Sequence, residues 1–149
     1  MTESGKIEIK GKIELDTVVR ALNSLYEDKP DILVDLDMSQ ASFTKIDYNR
    51  FYYVRNLRSV IIPEGVTLID SYAFQSCVNL ESVTIPKSVM EIGMCAFSVC
   101  KKLASVVFVD NESTWNVGGE DVVMSDPANN VKVLTNPTLF RAITKKIAN

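Results

Sequence analysis

Apolar residues return at fixed distances through the middle of the chain. Residues 57–79 read LRSVIIPEGVTLIDSYAFQSCVN and residues 80–102 read LESVTIPKSVMEIGMCAFSVCKK, so Leu57, Leu80 and Leu103 are spaced by 23. Ten pairs are identical between the two units: Leu57/Leu80, Ser59/Ser82, Val60/Val83, Ile62/Ile85, Pro63/Pro86, Val66/Val89, Ile69/Ile92, Ala73/Ala96, Phe74/Phe97 and Cys77/Cys100. Self-similarity at a fixed period predicts units that stack, because one unit alone cannot bury its apolar edge. Within a unit, Leu, Val and Ile at offsets 0, 3 and 5 open a short strand with alternating inward residues. Pro at offset 6 lacks an N–H and ends the ladder. Val and Ile at offsets 9 and 12 point back inside, and Ala-Phe with the following Cys fill the return side.

The template extends in both directions and then decays. Stepping back by 23 from Ile69 and Phe74 lands on Ile46 and Phe51, so residues 33–56 form a degenerate unit, with a strand over residues 32–37 shifted by one position. LASVVFVDNESTW after residue 102 opens another unit and abandons the pattern at Val109. About four strand rungs are expected, two of them complete. An open last rung exposes apolar surface and strand edges, so covers are needed. At the N-terminus KIEIKGKIEL reads as an alternating strand. DTVVRALNSLYED reads as a helix with Val18, Ala21, Leu22 and Leu25 on one face behind a cap at Asp16 or Thr17. At the C-terminus Gly118-Gly119 and Asp126-Pro127 act as breakers, and PANNVKVL and TLFRAITKKI are each expected as a short helix.

The unit LxSVxIPxxVxxIxxxAFxxC over residues 57–108 resembles the BspA-type bacterial leucine-rich repeat. Leu36-Asp37-Met38-Ser39 and Ser113-Thr114-Trp115 add to the likeness in the flanks. The resemblance implies an α/β, β-rich fold: a right-handed leucine-rich-repeat solenoid with an N-terminal strand-helix cap over residues 1–31, repeats over 32–108 and an irregular C-terminal cap over 109–149, all one domain. It also implies display on, or export from, a cell, with roles in adhesion and protein binding and no catalytic residues to carry over. The expected function is therefore a non-enzymatic protein-binding module on the cell surface or secreted. The alternative is an assembly subunit that self-associates through the solenoid ends. Export in this family starts from a signal segment, whereas MTESGKIEIKGKIEL is interleaved with charge. Either a signal was removed and Met1 added, or the protein acts in the cytoplasm.

Composition narrows the chemistry. With no histidine, the chain has no Ser-His-Asp or Cys-His pair, histidine metal site or histidine pH switch. A net charge of −3 in 149 residues argues against a body-wide basic footprint for nucleic acid or anionic lipid. No apolar stretch reaches the length of a membrane span. No cofactor is expected, and the partner expected is a protein bound by a monomer. The odd count of three cysteines, Cys77, Cys95 and Cys100, excludes a closed set of bridges. Cys77 and Cys100 share a template position and read as a packing column, while Cys95 is the thiol expected to be most exposed. Glu112, Glu120, Asp121 and Asp126 cluster in the C-terminal stretch without the regular spacing of a calcium loop.

Two sets of residues are candidates for partner contact. On the outward side of the strands, Ile61, Thr84 and Val107 fall in one column beside Ser59, Ser82 and Ser105. A β-branched face with a charged margin suits a protein ligand, and β-branched residues also simply favour strands. The second set is Tyr52, Tyr53, Arg55 and Arg58. The two tyrosines occupy template-exterior positions where the next unit has Gln75 and Ser76. Tyrosine and arginine are enriched among interface hot spots; burial beneath the N-terminal helix, through Leu25 and Tyr26, is the other reading.

Overall fold

The computed structural model describes residues 3–147; Met1 and its expected origin lie outside the described residues. The alternating residues of each unit build the strands expected of them. β2 (Ile32–Ala41), β4 (Leu57–Ile61), β6 (Ser82–Ile85) and β8 (Ser105–Phe108) lie side by side and parallel, with β1 (Glu3–Gly11) on the far side of β2. Register follows the 23-residue period: Ser59 pairs with Ser82 and then Ser105, Val60 with Val83 and Val106, and Ile61 with Thr84 and Val107. The degenerate unit is out of step by one residue, as its pattern suggests. Val34 pairs with Leu57, and the register slips so that Asp35 pairs with Ser59.

A second parallel ladder, which the pattern does not announce, forms where offsets 11 and 12 recur. β3 (Lys45–Ile46), β5 (Leu68–Ile69) and β7 (Glu91–Ile92) are two residues each and stack Ile46 on Ile69 on Ile92. Between the two ladders runs a third row of unit-to-unit bonds. The amides of Asn49, Phe51 and Tyr53 donate to the carbonyls of Ser71, Ala73 and Gln75, and those of Tyr72, Phe74 and Ser76 donate to Met94, Ala96 and Ser98. These turns hold Asn49, Tyr53, Tyr72, Ser76, Cys95 and Val99 at φ of 56–61°, two per unit at matching positions. A non-glycine residue there costs of order 1–3 kcal/mol, and at Asn49, Tyr53, Tyr72 and Ser76 the amide bond to the next unit offsets that strain.

Identical side chains stack inside. Phe51, Phe74 and Phe97 are fully buried, with ring centroids 4.9 and 5.2 Å apart and planes within 6° of parallel. Each buried aromatic or aliphatic side chain contributes about 1.5–3 kcal/mol. Side-chain hydrogen bonds repeat the same step: Gln75 to Ser98, Lys102 to Asn79 and Arg58 to Asp35 each join residues 23 apart. Close approach decides one glycine. A Cβ on Gly93 would fall 2.3 Å from the Ser71 nitrogen.

The two ends are built differently. At the N-terminal end, β1 runs parallel to β2, and the connection is α1 (Leu15–Asp28), the helical crossover that parallel neighbours require. α1 buries Leu15, Val18 and Leu22 and leaves Ala21 exposed. The buried Asn56 ties α1 down, its side-chain nitrogen donating to the Leu22 carbonyl at 2.8 Å. The helix is capped two to three residues earlier than expected. Glu14 occupies the N-cap without a side-chain bond, and Asp16 sits in the first turn as the ion-pair partner of Arg50.

At the C-terminal end, β9 (Thr114–Val117) and β10 (Glu120–Val123) form a hairpin around Gly118-Gly119, both at positive φ. α2 (Pro127–Leu134) is the helix expected there, and Asp126 caps it by accepting from the amides of Ala128 and Asn129. TLFRAITKKI is not a helix. Its centre is the strand β11 (Ile143–Lys145), paired antiparallel with both β7 and β9. Burial of Ile143 opposite Ile92 and two ladder partners outweigh the local preference for helix.

Candidate protein-binding surface

Exposure separates the expected contact residues from the core. On the outer face of the first sheet, Ile61 is 37% and Val107 40% exposed, and Thr84 lies half-buried between them in register. The row alongside is Ser59, Ser82 and Ser105, all half-buried. Toward β1 and β2 the face becomes charged. Lys6 pairs with Asp37 at 3.4 Å and with Glu8 at 2.8 Å. The face therefore grades from charged residues at β1 and β2 to a hydroxyl row and a β-branched row on β4, β6 and β8.

Arg58 belongs to this face and forms two hydrogen bonds with Asp35 on the neighbouring strand. Ser59 adds a hydroxyl bond to the same carboxylate at 2.7 Å. The Arg58 guanidinium, followed by the Ser59 hydroxyl, holds the Asp35 carboxyl below its ordinary pKa against an opposing effect of burial. Asp35 was legible as a partner, because it lies one period before Arg58. Pairing costs Arg58 its freedom: it is engaged within the sheet rather than grouped with the tyrosines.

Tyr52 and Tyr53 stand on the turn after Phe51, 50% and 49% exposed, with ring centroids 6.2 Å apart. α1 does not cover them. Instead Tyr26 and Tyr53 flank Arg55, whose guanidinium carbon lies 4.1 and 5.1 Å from their ring centroids. Glu27 adds a contact to Arg55 at 3.3 Å. Stacking on two rings orients the guanidinium. The sequence pattern singles out Tyr52, Tyr53 and Arg55 and brings Tyr26 to them only as a residue of a covering helix; Glu27, which carries no repeat signal, is the member it misses.

The remaining candidates have structural partners. Cys77 and Cys100 are buried and free, their thiols donating to the carbonyls of Phe51 at 3.0 Å and Phe74 at 3.1 Å. Burial pushes the Cys77 thiol well up and that of Cys100 up to about 12, so both are poor nucleophiles. Cys95 is also free and half-exposed. Asp121 pairs with Lys146 at 2.6 Å and Asp126 caps α2, so these two C-terminal carboxylates are committed to local structure, while Glu112 and Glu120 are exposed. Among the described residues no group of three or more Cys, Asp or Glu side chains is placed to hold a metal, and no helix is long and apolar enough to cross a membrane.

Two parallel ladders that advance by one 23-residue unit per strand define a repeat protein. The chain belongs to the BspA-type leucine-rich-repeat family, whose model matches residues 32–118, more than half of the chain, in six copies. Across those residues the first sheet contains four strands, β2, β4, β6 and β8. Such repeats are generally non-enzymatic and typically mediate protein–protein contact, and the family is usually extracellular or surface-associated. Comparison with curated proteins returned no match, and neither did comparison with solved structures.

Proposed function

We propose that the chain is a non-enzymatic protein-binding module, a surface-exposed or secreted adhesion or interaction domain. In this reading residues 32–108 are a right-handed solenoid in one domain, capped by residues 1–31 and 109–149. The observation that carries it is the pair of half-exposed tyrosines, Tyr52 and Tyr53, beside an arginine held between Tyr53 and Tyr26. Large aromatic rings with few rotatable bonds and an oriented guanidinium supply contact area at low entropic cost. The outer row Ile61, Thr84 and Val107, with Arg58 at its margin, supplies a second contact strip on the same chain.

The test replaces Tyr52 and Tyr53 by the residues that the next unit uses at the same positions, Tyr52→Gln with Tyr53→Ser. Ser76 already occupies the left-handed conformation that Tyr53 adopts, so the substitution is compatible with the turn. Immobilised wild-type protein and the double variant are challenged with the same surface-protein extract, and the retained proteins are identified. The reading expects a retained protein whose binding weakens by about thirtyfold or more in the variant, the effect of losing about 2 kcal/mol, with unchanged thermal unfolding. A variant that unfolds earlier yet retains the same protein equally well would remove this cluster from the interface.

A further inference from the structure

We propose that β1 is a self-association edge, pairing antiparallel with β1 of a second copy so that the first sheet continues across a two-fold axis at Ile7. The inference is independent of the tyrosine cluster and would make the chain a dimer, where the adhesion reading of the sequence expects a monomer. β1 pairs only with β2, and its other edge has no partner among the described residues over nine positions. An unpaired edge is a template for another strand. The opposite edge of the same sheet is managed differently: the buried Asn130 of α2 donates to the Val106 carbonyl of β8 at 2.8 Å.

Charge selects the second copy as occupant and also selects the register. A two-fold axis normal to the sheet keeps each residue on its own face, so directly opposed residues must have numbers of the same parity. Centred on Ile7, all nine residues of Glu3–Gly11 find a partner, Lys6 lies opposite Glu8 of the second copy, and Glu8 lies opposite its Lys6. Moving the centre to Lys6 sets Lys6 against Lys6, and moving it to Glu8 sets Glu8 against Glu8. Opposite charges across strands attract and like charges repel, so the centred register is favoured over both neighbours.

The other face of β1 is apolar. Ile7, Ile9, Val18, Ala21 and Leu25 line a groove of about 200 Å³ between β1 and α1, and Ile7 is 37% exposed. In the centred register Ile7 meets Ile7, and Ile9 of one copy lies over Gly5 of the other, where a side chain would meet open space. The one register irregularity in the β1–β2 pairing places its extra residue in β2, between Asp37 and Gln40, and leaves β1 extended.

The experiment is sedimentation equilibrium on the full chain and on three variants, with circular dichroism as the check on folding. Wild type is expected to be a dimer. Lys6→Glu and Glu8→Lys each set like charges opposite one another at two symmetric places and should weaken the dimer about tenfold or more. The double variant Lys6→Glu/Glu8→Lys should dimerise like wild type, and an equimolar mixture of the two single variants should form a heterodimer. A wild-type protein that stays monomeric at every concentration would overturn the proposal, as would a dimer that is indifferent to both single substitutions. Dimerisation does not involve Tyr52 or Tyr53, so its failure leaves the binding reading intact, and the reverse also holds.

Discussion

The two ends of the repeat stack face one physical demand and meet it in different ways. At the C-terminal end the last strand of each ladder is followed by new structure: β11 takes the place beside β7, and α2 packs on β8 through Asn130. Trp115, Met124 and Ile143 are all buried there, with Trp115 edge-on to Phe108 at 5.3 Å. At the N-terminal end one strand extends the first sheet, one helix covers part of the core, and both a strand edge and an apolar groove stay uncovered. Closure of edges suppresses association and open edges invite it. The C-terminal end is therefore closed, and the N-terminal end carries the open edge proposed above as the surface through which copies meet.

Substitutions at the two ends sharpen this contrast. The largest effect is expected for Trp115→Ala, which removes a fully buried ring from the C-terminal closure and should cost about 3–5 kcal/mol. Leu25→Ala in the half-covered N-terminal groove should cost about 1 kcal/mol, since less surface is lost from the core. Equal losses in chemical denaturation would show that the ends are equally closed. Asn130→Ala is expected to cost about 1–3 kcal/mol, because the carbonyls of Val106 and Met124 lose their buried donor. Its measurement is the same denaturation series, and a loss below about 0.5 kcal/mol would mean that water replaces the amide freely.

A smaller effect of opposite sign is expected at the last repeat turn. Val99 is a β-branched residue at φ 58° and is nearly half exposed, whereas asparagine tolerates that conformation. Val99→Asn should stabilise the protein by about 1 kcal/mol. A destabilised variant would show that Val99 packs against a surface that its exposure does not reveal.

Legibility in the sequence follows the same division. Repeated units announce themselves, because Val60, Ile62, Phe74 and Cys77 recur one period later for the same packing reason, and strands β4 and β6 fall just before Pro63 and Pro86. The second ladder escapes notice, because two-residue strands such as β5 leave no alternation to read. β11 was misread because helix-compatible residues were placed in a strand by partners distant in sequence. The hairpin β9–β10 was hidden in its own turn, since Gly118-Gly119 punctuates a chain as readily as it reverses one. For the candidate surface, Tyr52 and Tyr53 stand out by departing from the template, Tyr26 enters only through the helix expected to cover them, and Glu27 has no template to depart from.

Unit-to-unit bonding in the turns underlies the whole stack, and amide hydrogen exchange of the native protein tests it residue by residue. Tyr72 and Ser76 donate to carbonyls of the next unit, whereas their equivalents Cys95 and Val99 have no such acceptor among the described residues. Exchange should be slow at Tyr72 and Ser76, following the stability of the core, and much faster at Cys95 and Val99. Valine amides exchange intrinsically no faster than serine amides, so the direction at Ser76 and Val99 is diagnostic. Equal protection at the two members of each pair would contradict a stack held together one period at a time.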